Sequence, residues 1–166
     1  MAVREILLIG NPKLYEVSEE FTRNELPSLK PIVESLHNTM MNFRKATGIG
    51  RAIAAPQIGI MKRIIYMNIT EPVVMINPVI SEKSSEMMEV WDDCMSIPNI
   101  LVKTKRHKRV RIEFKDGDWN DRVIEAADDL SELLQHEYDH LDGILMFSRA
   151  IDDRSIAYST QKHHLK

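Results

Sequence analysis

The stretch "QHEYDHLDG", Gln135 to Gly143, places two imidazoles four residues apart with a carboxylate directly after the first. On a helix that spacing returns His136 and His140 to nearly the same face, one turn apart, where both can bind one metal ion. Glu137 beside them has the chemistry of a general base toward water held by such an ion. Two helical histidines flanked by an acid can also be plain surface residues, so a third ligand decides the matter.

Zinc proteases built on this motif take that ligand downstream, from a Glu or from a His three residues past a Gly. No Glu follows Glu137, and Met146 stands three residues beyond Gly143. Asp142, Asp152 and Asp153 stay open as ligands. Upstream, the single cysteine, Cys94 in "WDDCMSIP", offers a soft thiolate that suits zinc or iron. It is read as an irregular segment between strands.

The rest of the chain must position these groups. Apolar residues at Leu29, Ile32, Val33, Leu36, Met40 and Phe43 predict an amphipathic helix over Leu26 to Lys45, with Pro27 and Pro31 near its start. Runs rich in β-branched residues predict strands at Arg63 to Asn68, Val73 to Ile80, Arg109 to Phe114 and Arg122 to Ala126. The last two flank "KDGDWN" as a hairpin. Asp128 to His140 turns helical, with Leu130, Leu133 and Leu134 on one side. Helix, several antiparallel strands, then helix predicts an α+β fold: small antiparallel or mixed sheets around a central helix that carries the His-Glu-x-x-His motif.

At 166 residues without repeats or low-complexity linkers, one domain over 1–166 is expected. A net charge of −3 gives no bulk attraction to DNA. The local basic run Lys103 to Arg111 is read as a solvated strand face, with docking to an anionic or ribosomal surface as the alternative. The lone cysteine favours a reducing compartment, and the apolar run Ile6 to Ile9 is too short for a leader core or a membrane span. A cytoplasmic protein is expected.

Beyond the residue chemistry, "QHEYDHLDG", "DDCMSIP" and "GRAIAAPQIG" (Gly50 to Gly59), in reverse chain order, resemble the three signatures of the peptide deformylases, and "ILLIGNPKL" is similar to that family's opening. The resemblance implies metal ligation by Cys94, His136 and His140 with a fourth position open. It implies Fe²⁺ as the working ion, while Zn²⁺, Ni²⁺ and Co²⁺ suit the same donors. It further implies Glu137 as general base, the Gln57 amide and the Met95 N–H as donors to the formyl oxygen, and N-formylmethionyl peptides as substrates. An extended peptide would pair with Gly50 to Ile53, its methionine lying against Ile53 and Leu133. Asp92 would pair with Arg106 in support.

The chain departs from the family pattern at Ala52 and Ile53, where Gly and Leu are usual, at Asp92 and Asp93 for Glu and Gly, at Leu101 for a basic residue, and at Asp128 and Asp129 for Gly and Leu. Together with Glu132 these imply a pocket more acidic than typical. A related amidase for another N-acyl group and a silent peptide- or ribosome-binding relative are the rival readings.

Overall fold

Strand Ile64–Asn68 shows how the molecule is layered: Ile64 and Tyr66 pack on one side, Ile65 and Met67 on the other. Four successive buried residues of this kind, Ile64 to Met67, belong to a strand covered on both faces, because side chains alternate with period two. The computed structural model, which describes residues 3–165, places it inside an antiparallel five-stranded sheet. In chain order the strands are β1 (Ala52–Ala54), β2 (Ile64–Asn68), β3 (Pro72–Lys83), β4 (Met87–Cys94), β5 (Ile97–His107), β6 (Arg109–Lys115), β7 (Asp121–Ala127) and β8 (Ile156–Tyr158). The larger sheet runs β1-β2-β3-β6-β7 and the smaller β4-β5-β8, so β1 and β4 each lie on a sheet edge.

Helix α1 (Leu26–Thr47) covers one face of the larger sheet, packing Leu29, Leu36 and Met40 against Ile53, Ile64, Tyr66 and Ile76. Helix α2 (Asp128–Leu141) covers the other, packing Leu133, Leu134 and Leu141 against Ala52, Ala54, Ile65, Met75 and Ile112. Each such side chain contributes on the order of 2 kcal/mol by leaving water. The α+β expectation holds, as do both helices and the hairpin, in which Arg109 pairs with Ala127 and Lys115 with Asp121.

The segment "WDDCMSIP" corrects the sequence reading. It is not irregular: Trp91 to Cys94 form the end of β4, and Met95 and Ser96 make the turn into β5. The order Met-Met-Glu-Val-Trp-Asp-Asp-Cys has no strict alternation and hides a strand in which Glu89 and Asp92 are paired with Lys103 and Arg106 of β5. The basic run owes its tolerance to the same pairing. Lys103 meets Glu89 at 3.1 Å, Lys108 meets Glu86 at 3.0 Å, and Arg111 reaches both Glu113 and Glu125.

Two contacts set the end of α2, and with it the histidines. Arg63 donates to the Leu141 carbonyl at 3.3 Å and to Asp142 Oδ1 at 2.7 Å, satisfying acceptors the helix leaves open. Gly143 follows at φ +67°, where an added Cβ would lie 2.5 Å from the Tyr15 carbonyl oxygen. Backbone clash and left-handed strain act together there. Gly143→Ala is expected to destabilise the fold by about 2–4 kcal/mol, read as a lower denaturant midpoint at unchanged m-value; a midpoint equal to that of the parent chain contradicts this account.

Candidate active site

The His-Glu-x-x-His segment lies in the second half of α2, where its side chains face the ends of β1 and β4. His136, Glu137 and His140 are only 6%, 3% and 2% exposed. Burial of that order is unusual for such groups unless they have work to do there. His140 Nε2 lies 3.2 Å from His136 Nε2 and 3.3 Å from Cys94 Sγ. Ligand bonds of about 2.0–2.3 Å meeting at a tetrahedral angle put donor atoms roughly 3.3–3.6 Å apart. The three residues therefore fit a divalent ion, and the Asp ligands left open by the sequence are not needed.

Burial of Cys94 follows from strand alternation. Asp92 and Cys94 face inward while Asp93 between them is exposed. Asp92 Oδ1 lies 2.8 Å from His136 Nδ1, which fixes the ring and aims Nε2 at the ligand cluster. Asp92 Oδ2 accepts from Arg106 at 2.9 Å, and Arg106 also donates to Asp139, which Arg149 contacts in turn at 2.7 Å. Burial alone would raise the Asp92 pKa, but the His136 and Arg106 charges outweigh it and hold the carboxylate well below its usual range.

Burial also pushes Glu137 up to about 7, with His136 opposing the shift. Among the described residues its Oε2 meets no hydrogen-bond partner, as befits a carboxylate that waits for a proton from outside the protein. Gln57 is the opposite case, held at both ends of its amide: Oε1 accepts from the Ala54 N–H at 2.9 Å and Nε2 donates to Ser96 Oγ at 3.2 Å. That leaves Nε2 beside Cys94 Sγ, 3.7 Å away.

These groups close one end of a cavity of about 280 Å³. Gly50, Ala52, Asp93, Met95 and Leu133 line it, together with Arg44, Arg51 and Glu132. Ile53 and Leu101 do not. Because β1 alternates, Ala52 and Ala54 face α2 while Ile53 points into the α1 layer, fully buried. Leu101 sits across the ladder from Asp93, one strand further from α2. The structure thus removes the Ile53 side chain from the expected methionine pocket.

Sequence reasoning missed Arg44, Asp139 and the role of Arg51. Arg44, in the last turn of α1, donates to the carbonyls of Gly50 and Asn68 at 2.7 and 2.6 Å and so holds the segment entering β1. Gly50 itself sits at φ +113°. That conformation is open to glycine alone. No periodicity marks these long-range bonds. Asp139, however, lies inside the quoted motif and could have been suspected as a second acceptor for Arg106.

Donors converging at ion-binding distance beside a buried carboxylate with one oxygen unpartnered, at the closed end of a cleft between two sheet edges, are the equipment of a metal-dependent hydrolase. The polypeptide deformylase family model matches residues 3–155. The chain is 37% identical over 154 residues to the peptide deformylase of Heliobacterium modesticaldum, covering 92% of this chain and 97% of that one. It is 34% identical to the peptide deformylase of Thermosynechococcus vestitus, covering 82% and 73%. Among solved structures, the Thermotoga maritima peptide deformylase superposes with a TM-score of 0.84 at 29% identity, covering 92% of this chain and 100% of that one. A class I type b peptide deformylase from Acinetobacter baumannii, bound to Met-Ala-Ser, gives 0.82 at 28% identity, covering 89% and 98%. The chain belongs to the peptide deformylase family; it is an enzyme, a metallohydrolase.

Proposed function

We propose that the chain, acting as one catalytic unit over 1–166, removes the formyl group from N-formylmethionyl peptides in the cytoplasm through Cys94, His136, His140, Glu137, Gln57 and Met95. The observation that carries these roles is the convergence of the Cys94, His136 and His140 donor atoms beside Glu137, whose Oε2 has no partner among the described residues. Cys94, His136 and His140 would hold the divalent ion, Fe²⁺ in this reading. When bound, it supplies Lewis acidity and lowers the pKa of water toward neutrality.

The chain's own residues do the rest. Glu137 takes the proton of the attacking water and returns it to the leaving nitrogen, so that formate and a free amine result. Gln57, fixed by Ala54 and Ser96, keeps its amide N–H aimed at the place where charge builds on the formyl oxygen, and the Met95 N–H in the turn after Cys94 is the second donor. The free edge of β1 takes the peptide backbone as an added strand. The closed end leaves room for formyl and excludes longer acyl groups.

The Met-Ala-Ser peptide on the Acinetobacter baumannii neighbour supports this substrate class. Docking on a ribosomal surface through the basic run has no comparable support, since acids pair with Lys103, Lys108 and Arg111. Among the described residues no helix is long and apolar enough to cross a membrane.

The test is formate release from formyl-Met-Ala-Ser beside acetyl-Met-Ala-Ser, with protein purified without oxygen and loaded with Fe²⁺ or Ni²⁺. Release from the formyl peptide alone, lost on chelation and regained on reloading, is expected. No release from protein shown to hold one ion per chain overturns the assignment.

A further inference from the structure

We infer that the wall facing the first side chain of the substrate is built for a group ending in an N–H donor, amide or ammonium, rather than for methionine alone. This rests on the deformylase reading above and deepens it.

Glu132 stands four residues before His136, one helical turn along the same face of α2, and its carboxylate lies within 4.8 Å of a His136 ring nitrogen. That step matches the distance from a reacting formyl group to the first side chain of the peptide that carries it. Glu132 lines the cavity next to Leu133, with its side chain only 11% exposed. A buried carboxyl in a pocket wall must be met by donors or it disfavours whatever apolar group is placed against it.

No nearby cation bonds it directly. Arg51, across the cavity on the segment entering β1, approaches Glu132 Oε2 only to 3.7 Å. That separation is too long for a hydrogen bond. The same guanidinium is engaged by Asp129. Asp92 lies within 4.8 Å of the Glu132 carboxylate, but it is a second acid, committed to His136 and Arg106, that meets Glu132 only by sharing a proton and supplies no donor of its own. Asp93 adds an exposed carboxylate to the rim of the same cavity. Arg44, the remaining cation of the lining, spends its guanidinium on the Gly50 and Asn68 carbonyls.

The wall therefore offers acceptors in excess of donors. Ala52 and Leu133 give it enough apolar surface for the methylenes of a straight side chain, and Glu132 gives that side chain's tip something to bind. Glutamine is close to methionine in shape and differs chiefly at the tip, so the pair isolates the effect. A site whose polar groups are left unpaired by an apolar ligand discriminates strongly against it.

The experiment compares kcat/KM for formyl-Met-Ala-Ser, formyl-Gln-Ala-Ser and formyl-Lys-Ala-Ser in the ion-loaded enzyme and in Glu132→Leu and Arg51→Ile variants. The parent enzyme is expected to use the Gln and Lys peptides at least as well as the Met peptide. Glu132→Leu should move the Gln-to-Met ratio at least tenfold toward Met. Titration of the product peptides Met-Ala-Ser and Gln-Ala-Ser should show the same order of affinity without turnover. Arg51→Ile, which frees Asp129 and removes the guanidinium 3.7 Å from Glu132, should raise the Lys-to-Met ratio and stands as a second reading if Glu132→Leu does not fold. A tenfold or greater preference for Met in the parent, unmoved in whichever variant folds, overturns the inference while leaving the deformylase reading intact. Formate from none of the peptides overturns both.

Discussion

Glu137→Gln is expected to lower kcat for formate release by about 10²- to 10⁴-fold, the usual contribution of a positioned acid–base group, with ion content unchanged. The substitution keeps the shape of a side chain that is 3% exposed, so packing against β1 survives. What goes is the capacity to take a proton. Burial that pushes Glu137 up to about 7 is what suits it to the task, because a base far weaker than its proton donor gains nothing at neutral pH. Formate assays and metal analysis on the same preparation separate the two effects. Turnover near the parent rate from an ion-replete Glu137→Gln protein would remove this residue from the mechanism.

Arg106→Met is expected to destabilise the protein by about 3–5 kcal/mol, the cost of leaving buried charge without its partner. Arg106 is 3% exposed and holds two acids, Asp92 and Asp139, themselves 1% and 9% exposed by side chain. Removing it strands both. Asp92 then has only His136 to answer its charge, so the ring loses its fixed orientation and ion affinity falls by about 10- to 100-fold. Denaturant unfolding measures the first effect and competition with a chelator the second. A variant of parental stability would mean that water or Arg149 already neutralises Asp139.

The two effects are separable because the chain splits the work between groups that face the cavity and groups behind the ligands. Glu137 and Gln57 line the cavity, whereas Arg106 is held behind Asp92. A third result, from Gly143, addresses only the path of the chain after α2, where no substrate contact is involved.

Much of this site was legible in the order of residues. Period 3.6 marked both helices, and the period-four histidines lay on one face because a helix puts them there. Cys94 stood out as a third ligand by its soft thiolate, and the resemblance then fixed that role, since a lone thiol in a polar segment has no pattern of its own. The β4 strand was illegible for a related reason: Glu89 and Asp92 are matched by Lys103 and Arg106 on β5, and cross-strand pairing leaves no local period. Ile53 was misplaced because its face depends on register. Its neighbour Ala52 pairs with Met67, and one residue's shift would exchange the two sides.

The sequence by itself determined the ligand types, the base beside them, the two amphipathic helices and the excess of acid near the site. Those are properties of residue chemistry and local spacing, which a helix of fixed pitch converts directly into geometry. Only the tertiary structure decided that Cys94 meets His140 at 3.3 Å, that Arg106 answers two carboxylates at once, and that Arg51 stands opposite Glu132 without a hydrogen bond to it. Each of these joins residues tens of positions apart, and their distance is set by sheet register and by the packing of α2 between two sheet edges, not by any period along the chain.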